Sequence, residues 1–322
     1  MASGFDARIG IARETTYGTR VAPSRFLPLT AEDLGFEYSR YFSPAIGTGM
    51  WGRASVLTTA VGSGSISGDV PTTGFGYLLD GLHGNTVTPT QLGGTAAYEQ
   101  VHSLSTPPSK SYTVQVQTPP VTSATLVPHD MLGVMLSGAT FSWSPGGVLS
   151  FEMPAIVREL DLSQANAAYS APAGYSLFSF QGGRVEIGGV LEGNIIGDGS
   201  LEIGYSLRDD AFSLGSAGRI AKPVLTDKPS ASGSFTADFN DNTNLNRVVD
   251  NTIADVVLRF EGATIAGVNK FTFELTIPDC VFTSDRPTVS DPGPVQQTVR
   301  FESASSTNRP PVIRYVSTDT LL

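Results

Sequence analysis

Apolar and polar residues alternate along most of this chain. Leu34-Gly35-Phe36-Glu37-Tyr38-Ser39-Arg40-Tyr41 puts apolar side chains at every second position, the period of a half-buried strand. The spacing predicts a short strand over 9–11, then strands over 56–70, 99–104, 112–117, 124–127, 134–143 and 148–153. Further on it predicts strands over 184–187, 201–207, 230–239, 255–261, 270–277 and 295–301. Two stretches change period. Phe75, Leu78, Leu79 and Leu82 fall at i, i+3, i+4 and i+7 and predict a helix over 72–82, with Gly84 as its cap. Leu245, Val248, Val249 and Ile253 predict a second helix over 242–253. Turns are expected at Ser144-Pro145-Gly146-Gly147 and at Gly197-Asp198-Gly199. Residues 44–52 form a Gly-rich loop carrying Ile46, Met50 and Trp51, and 162–174 has the composition of a linker.

The programme of strands and one helix occurs twice. Ser63-Gly64-Ser65-Ile66-Ser67-Gly68-Asp69-Val70 aligns with Ser232-Gly233-Ser234-Phe235-Thr236-Ala237-Asp238-Phe239, with four of eight positions identical. Leu34-x-Phe36-x-Tyr38-Ser39 aligns with Leu201-x-Ile203-x-Tyr205-Ser206, and Leu78-Leu79-Asp80 with Val248-Val249-Asp250. The offsets are 167, 169 and 170, close enough to indicate duplication. Leu149-x-Phe151-x-Met153-Pro154 also resembles Phe273-x-Leu275-x-Ile277-Pro278, at an offset of 124. Taken together, these offsets predict an insertion of about 45 residues in the first half, around 85–130. The expected domains are 1–165, carrying that insertion, and 166–322.

Composition narrows the class. Of 322 residues, 40% are hydrophobic, so each half can bury a core, while only 16% are charged. The 35 Gly and 21 Pro suit many short strands joined by turns. A net charge of −10, with four Lys among the 20 basic residues and no basic stripe, argues against tight binding of nucleic acid. A single cysteine, Cys280, leaves no disulfide framework and suits a reducing compartment. The amino-terminal segment lacks the apolar run of a secretory leader, and no stretch reaches the length of a membrane helix.

Candidate chemistry is sparse. His83, His102 and His129 fit no metal-ligand spacing, and His83 beside Gly84 is expected at a helix end, where its charged form suits the dipole. Asp238 to Asn244 places oxygens at alternate positions, but the central Gly and the terminal Glu of a calcium loop are absent. The better reading is a helix start capped by Asp241 or Asn242. There is no G-x-S-x-G elbow and no phosphate loop, and Cys280 has no neighbouring His. No catalytic, cofactor-binding or metal residue is assigned, and no enzyme activity is expected.

Taken in order, the segments resemble the tail tube (major tail) proteins of long-tailed, siphovirus-type bacteriophages. The resemblance begins at Ile9-Gly10-Ile11-Ala12-Arg13-Glu14-Thr15-Thr16-Tyr17-Gly18-Thr19 and runs through the Ser-Gly-Ser-Ile-Ser-Gly-Asp-Val strand and its helix. It ends with Leu275-Thr276-Ile277-Pro278, Pro287-Thr288-Val289-Ser290 and Val295-Gln296-Gln297-Thr298-Val299-Arg300-Phe301-Glu302. It implies a mainly β protein with one short helix per domain. Its tandem tube-type β-sandwich or barrel domains would have inner sheets that form a shared oligomeric β-barrel. It further implies a structural virion protein that polymerises as stacked rings into the tail tube, the conduit for double-stranded DNA ejection into the host.

The expected partners are further copies of the chain, as trimers with pseudo-sixfold rings, and the tape measure, tail terminator and baseplate proteins. DNA would pass without specific binding, and no membrane or cofactor is involved. The chain would fold and assemble in the bacterial host cytoplasm. Ile46, Met50 and Trp51 are the candidate ring-stacking residues, and the lining of the DNA channel is unknown at this stage. The alternatives are a hexameric ring, a baseplate or tail-completion ring protein of the same fold, and a carbohydrate-binding β-protein. The last would need clustered aromatics and paired carboxylates, which the sequence does not offer.

Overall fold

The computed structural model describes residues 4–47, 49–123, 125–171, 174–193, 195–284, 286–287, 289, 292–304 and 307–322. The first half runs β1 (Arg8–Arg13), β2 (Arg25–Phe26), β3 (Ala31–Glu32), β4 (Gly35–Phe42), β5 (Ser55–Asp69), α1 (Gly76–Leu79), β6 (Thr90–Gln91), β7 (Tyr98–Ser103), β8 (Tyr112–Thr118), β9 (Val127–Leu136), β10 (Gly138–Trp143), β11 (Ser150–Val157) and β12 (Glu159–Asp161). The second half runs β13 (Gly183–Ile187), β14 (Val190–Leu191), β15 (Ile195–Gly204), β16 (Ser230–Asp238), α2 (Thr243–Val249), β17 (Ala254–Ala266), β18 (Asn269–Thr283), β19 (Gln296–Ser303) and β20 (Val312–Ser317). The chain is thus mainly β, as the alternation predicts. The strand expected at 124–127 starts on a residue outside those described, and pairing begins at Val127. Of the Pro287-Thr288-Val289-Ser290 motif, Thr288 and Ser290 likewise lie outside the described residues.

Among the described residues all strand pairs are antiparallel, and they build two layers. One is a run of eight strands in the order β4-β5-β11-β10-β15-β16-β19 and the end of β18. The other consists of β2-β1-β8-β9-β12 and β14-β13-β17-β18-β20-β7-β6. The strand β18 crosses from one layer to the other, and β9 does the same by continuing as β10.

The ladder repeats. Pairs β1–β2, β1–β8, β8–β9, β9–β12, β4–β5, β5–β11 and β10–β11 recur as β13–β14, β13–β17, β17–β18, β18–β20, β15–β16, β16–β19 and β18–β19. Register repeats as well. Phe36 faces Gly62, and Ile203 faces Ala231, as the sequence offsets of 167 and 169 require.

The match of Leu149–Pro154 to Phe273–Pro278 is not structural. Residues 150–157 lie beside β5, and their counterpart beside β16 is β19, whereas 273–277 pairs with β17 and β20 in the other layer. The inserted segment is accordingly narrower than 85–130. Residues 80–111, between α1 and β8, fill the place that 250–253 takes between α2 and β17.

Both layers close over one continuous core. Within the first half the ring centroids of Phe75 and Phe151 lie 4.8 Å apart, and across the halves those of Phe141 and Phe273 lie 4.9 Å apart, so rings from the two halves pack together. Each such ring contributes roughly 1.5–3 kcal/mol on burial.

The helices differ in setting. Phe75, Leu78, Leu79 and Leu82 are buried as expected. The turn after α1 is 3-10 (Asp80–Leu82), and His83 is extended (φ −149°), so Gly84 does not act as a left-handed cap. Its N–H donates instead to Thr106 Oγ1 at 3.1 Å. Around α2, Val249 and Ile253 are exposed, because no counterpart of 83–111 covers that helix. Asn242 stands at the cap position without a side-chain capping bond, and Asp241, one residue before it, accepts from the Thr243 N–H at 2.8 Å. Gly197-Asp198-Gly199 is not a turn but an irregularity within β15, where register shifts between Ile195 and Gly199.

Candidate functional site

A seam joins the two halves of the eight-stranded sheet. The pairs run from Gly138↔Gly204 through Ala139↔Ile203, Thr140↔Glu202, Phe141↔Leu201 and Ser142↔Ser200 to Trp143↔Gly199. Ala139, Phe141 and Trp143 are buried on one face with Leu201 and Ile203. A Cβ on Gly199 would stand 2.1 Å from Trp143 Cζ2, so glycine lets the indole cross the seam.

The opposite face is polar and open. Directly opposed residues share a face, so rows can be traced across the strands. One row reads Ser67, Glu152, Thr140, Glu202, Ser232, Glu302, Val281. The next reads Asp69, Ser150, Ser142, Ser200, Ser234, Arg300, Thr283. Glu37 and Asp238 belong to the same face. Its charged residues at these paired positions are therefore Glu37, Asp69, Glu152, Glu202, Asp238 and Glu302 against Arg300. The sequence signal for this face is the run of Ser, Thr and carboxylates alternating with core residues. Alternation gives the two faces of each strand, but it does not say which strands are neighbours, so this face could not be assembled from it.

Two surfaces of the first hairpin are apolar and exposed. At the tip, Ile46 is fully exposed, Met50 86% and Trp51 87% exposed. Below it, Tyr41 faces Val56 and Phe42 faces Ser55, and Tyr41, Phe42, Val56 and Leu57 are exposed too. An isolated monomer has no use for such a concentration of large apolar side chains. The corresponding loop of the second half, 205–229, leans on the first half: the Ala60 N–H donates to the Gly218 carbonyl at 2.9 Å.

The structure also gathers Asp80, His83 and His102, which the sequence reading left unconnected. Lys110 Nζ donates to Asp80 Oδ1 at 2.6 Å and to the Asp80 carbonyl at 3.0 Å. His83 Nε2 and His102 Nδ1 share a hydrogen bond of 3.1 Å, and His102 Nε2 reaches Gln100 Oε1 at 3.2 Å. Burial, reinforced by the Lys110 ammonium, pushes His83 down to about 4. Burial, His83 and Lys110 push His102 down to about 3. His83 is thus a buried neutral group, not a charged cap. The carboxylate is already neutralised by Lys110, so the cluster is a tie between α1 and the inserted segment, not a metal ligand set. Cys280 is buried as well, and burial pushes its thiol up to about 12, which leaves it inert.

None of this forms a catalytic constellation among the described residues; it forms seams, edges and a polar sheet face. The sequence profile of the phage tail tube proteins matches residues 4–303. The chain belongs to that family. It matches no curated protein sequence at a significant level. As a tail tube protein it is a structural component of the virion that assembles with copies of itself into a tube. No helix among the described residues is long and apolar enough to cross a membrane.

Proposed function

We propose that three copies of this tail tube protein close into a ring, that rings stack into the tail tube, and that double-stranded DNA passes through the bore during ejection. The observation that carries this reading is the doubled ladder: eight neighbouring strands per chain, four from each half. Three chains supply about two dozen strands, the number a bore for duplex DNA needs by extrapolation from porin-sized barrels. Each half then acts as one tube domain, 1–165 and 166–322, and the ring has pseudo-sixfold symmetry.

The Ser/Thr and carboxylate face lines the bore in this arrangement. Its charge balance keeps phosphate from adhering in transit. Ile46, Met50 and Trp51 serve as the stacking element, since exposed Met and Trp are effective anchors. A second reading for this loop is contact within the ring, favoured by the way 205–229 seats on the neighbouring half. Tape measure, terminator and baseplate proteins meet the tube at its interior and ends, and assembly takes place in the host cytoplasm. A baseplate or tail-completion role would use few copies per virion. Native mass spectrometry of the assembled ring tests the stoichiometry. Three chains per ring support the proposal; six overturn it.

A further inference from the structure

The repeat supplies a template for the contact between neighbouring chains. Within the chain, β10 of the first half pairs with β15 of the second. The counterpart of β15 is β4, through the Leu34–Ser39 and Leu201–Ser206 alignment and the shared register. Following β5–β11 onto β16–β19 makes Met153 the counterpart of Val299. Following β10–β11 onto β18–β19 then places Thr283 and Ser284 at the positions of Gly138 and Ala139. Both elements end on open edges. Among the described residues β4 pairs only with β5, and beyond the Ala254↔Cys280 pair, Val281–Thr283 pairs only with β19.

We infer that the end of β18 in one chain pairs antiparallel with β4 of the next, with Thr283 opposite Glu37, Ser284 opposite Phe36 and Phe282 opposite Tyr38. This rests on the ring reading given above and adds the joint and its register. Exposure supports it independently. Tyr205, beside the internal seam, is 5% exposed, while its counterpart Tyr38 is 53% exposed. Ile203 is buried, and its counterpart Phe36 is only half-buried. These are the side chains a neighbour would cover. Faces agree too: Glu37 and Thr283 belong to the polar face, and Tyr38 and Phe282 to the core face, where Tyr38 would extend the chain of rings beyond Phe282. Charge is complementary across the joint. Arg300 stands one strand from the β18 edge, and Glu37 stands on the β4 edge. An unpaired strand edge is a ready template for another chain, and a head-to-tail contact of this kind closes rings.

The test is a disulfide across the joint. The double variant Glu37→Cys/Thr283→Cys is assembled, imaged and mildly oxidised, then run on a non-reducing gel. Covalent oligomers up to the trimer are expected, several-fold above the displaced pair Glu37→Cys/Val281→Cys. Rings without cross-links, or stronger cross-linking in the displaced pair, would overturn the register and leave the ring reading standing. Absence of rings in the unmodified protein would overturn both. As a second variant, Tyr38→Asp puts a charge on the core side of the edge. It is expected to keep its circular dichroism spectrum and to elute as a monomer; rings at wild-type yield would overturn the joint.

Discussion

Trp143 lies across Gly199, its ring occupying the space that a Cβ on that glycine would need. The contact joins the last strand of the first half's sheet to the first strand of the second. It also reaches the opposite layer, since Trp143 stands 6.5 Å from Phe260. The duplicated halves therefore share one core rather than two.

Substituting Gly199→Ala should force the indole or the strand to move, an overpacking cost of about 1–3 kcal/mol. The expected outcome is a lower urea midpoint with an unchanged slope, together with shifted tryptophan fluorescence. An unchanged midpoint would show that the seam tolerates a side chain there.

The buried histidines make stability fall in mild acid. Both folded values, about 4 for His83 and about 3 for His102, lie below the ordinary 6.5. Between those values the unfolded chain binds more protons than the folded one. The contribution is complete above pH 6.5 and is lost as pH drops through the window from 6.5 to about 3. The slope is up to ~1.4 kcal/mol per pH unit for each histidine. Urea titrations at pH 7.5 and 5 check this, and the double variant His83→Gln/His102→Gln should flatten the difference.

At the hairpin tip, Ile46→Ser, Met50→Ser and Trp51→Ser remove apolar surface that touches little of the fold. Monomer stability should change by no more than about 0.5 kcal/mol. Tubes are expected to disappear from micrographs while rings persist. Loss of rings as well would assign the tip to contact within the ring, and normal tubes would remove it from assembly.

Reversing charge on the polar face separates lining from scaffold. Glu152→Lys, Glu202→Lys and Glu302→Lys together should leave folding intact and make assembled tubes retain short duplex DNA in a salt-dependent way. Fluorescence anisotropy with labelled duplex at two salt concentrations reads this out. Equal binding by wild type and variant would show that this face does not meet the DNA.

Much of the fold was legible in the sequence because its layers are built from period-two alternation. Ser232–Phe239 and Ser63–Val70 align at a constant offset, and their ladders repeat with the same register. Phe75, Leu78, Leu79 and Leu82 announced a buried helix, and they are buried. What failed depended on long-range partners. Leu149–Pro154 and Phe273–Pro278 look alike because both alternate toward a core and end at proline, yet they lie in different layers. Gly197-Asp198-Gly199 has turn composition, but pairing with β16 keeps it in a bulged strand. His83 has the sequence position of a charged helix end, but the segment 83–111 folds back and buries it against His102. The candidate site divides the same way. The exposed tip residues could be named from composition, whereas the polar face emerges only when six ladders are laid side by side.

Electron microscopy of rings assembled from the purified chain tests the central claim most directly. The account predicts threefold rings with pseudo-sixfold inner density, a continuous barrel of about two dozen strands, and the Glu152–Glu202–Glu302 row facing the bore. Rings of six chains, or rings whose bore is lined by another face of the chain, would contradict it.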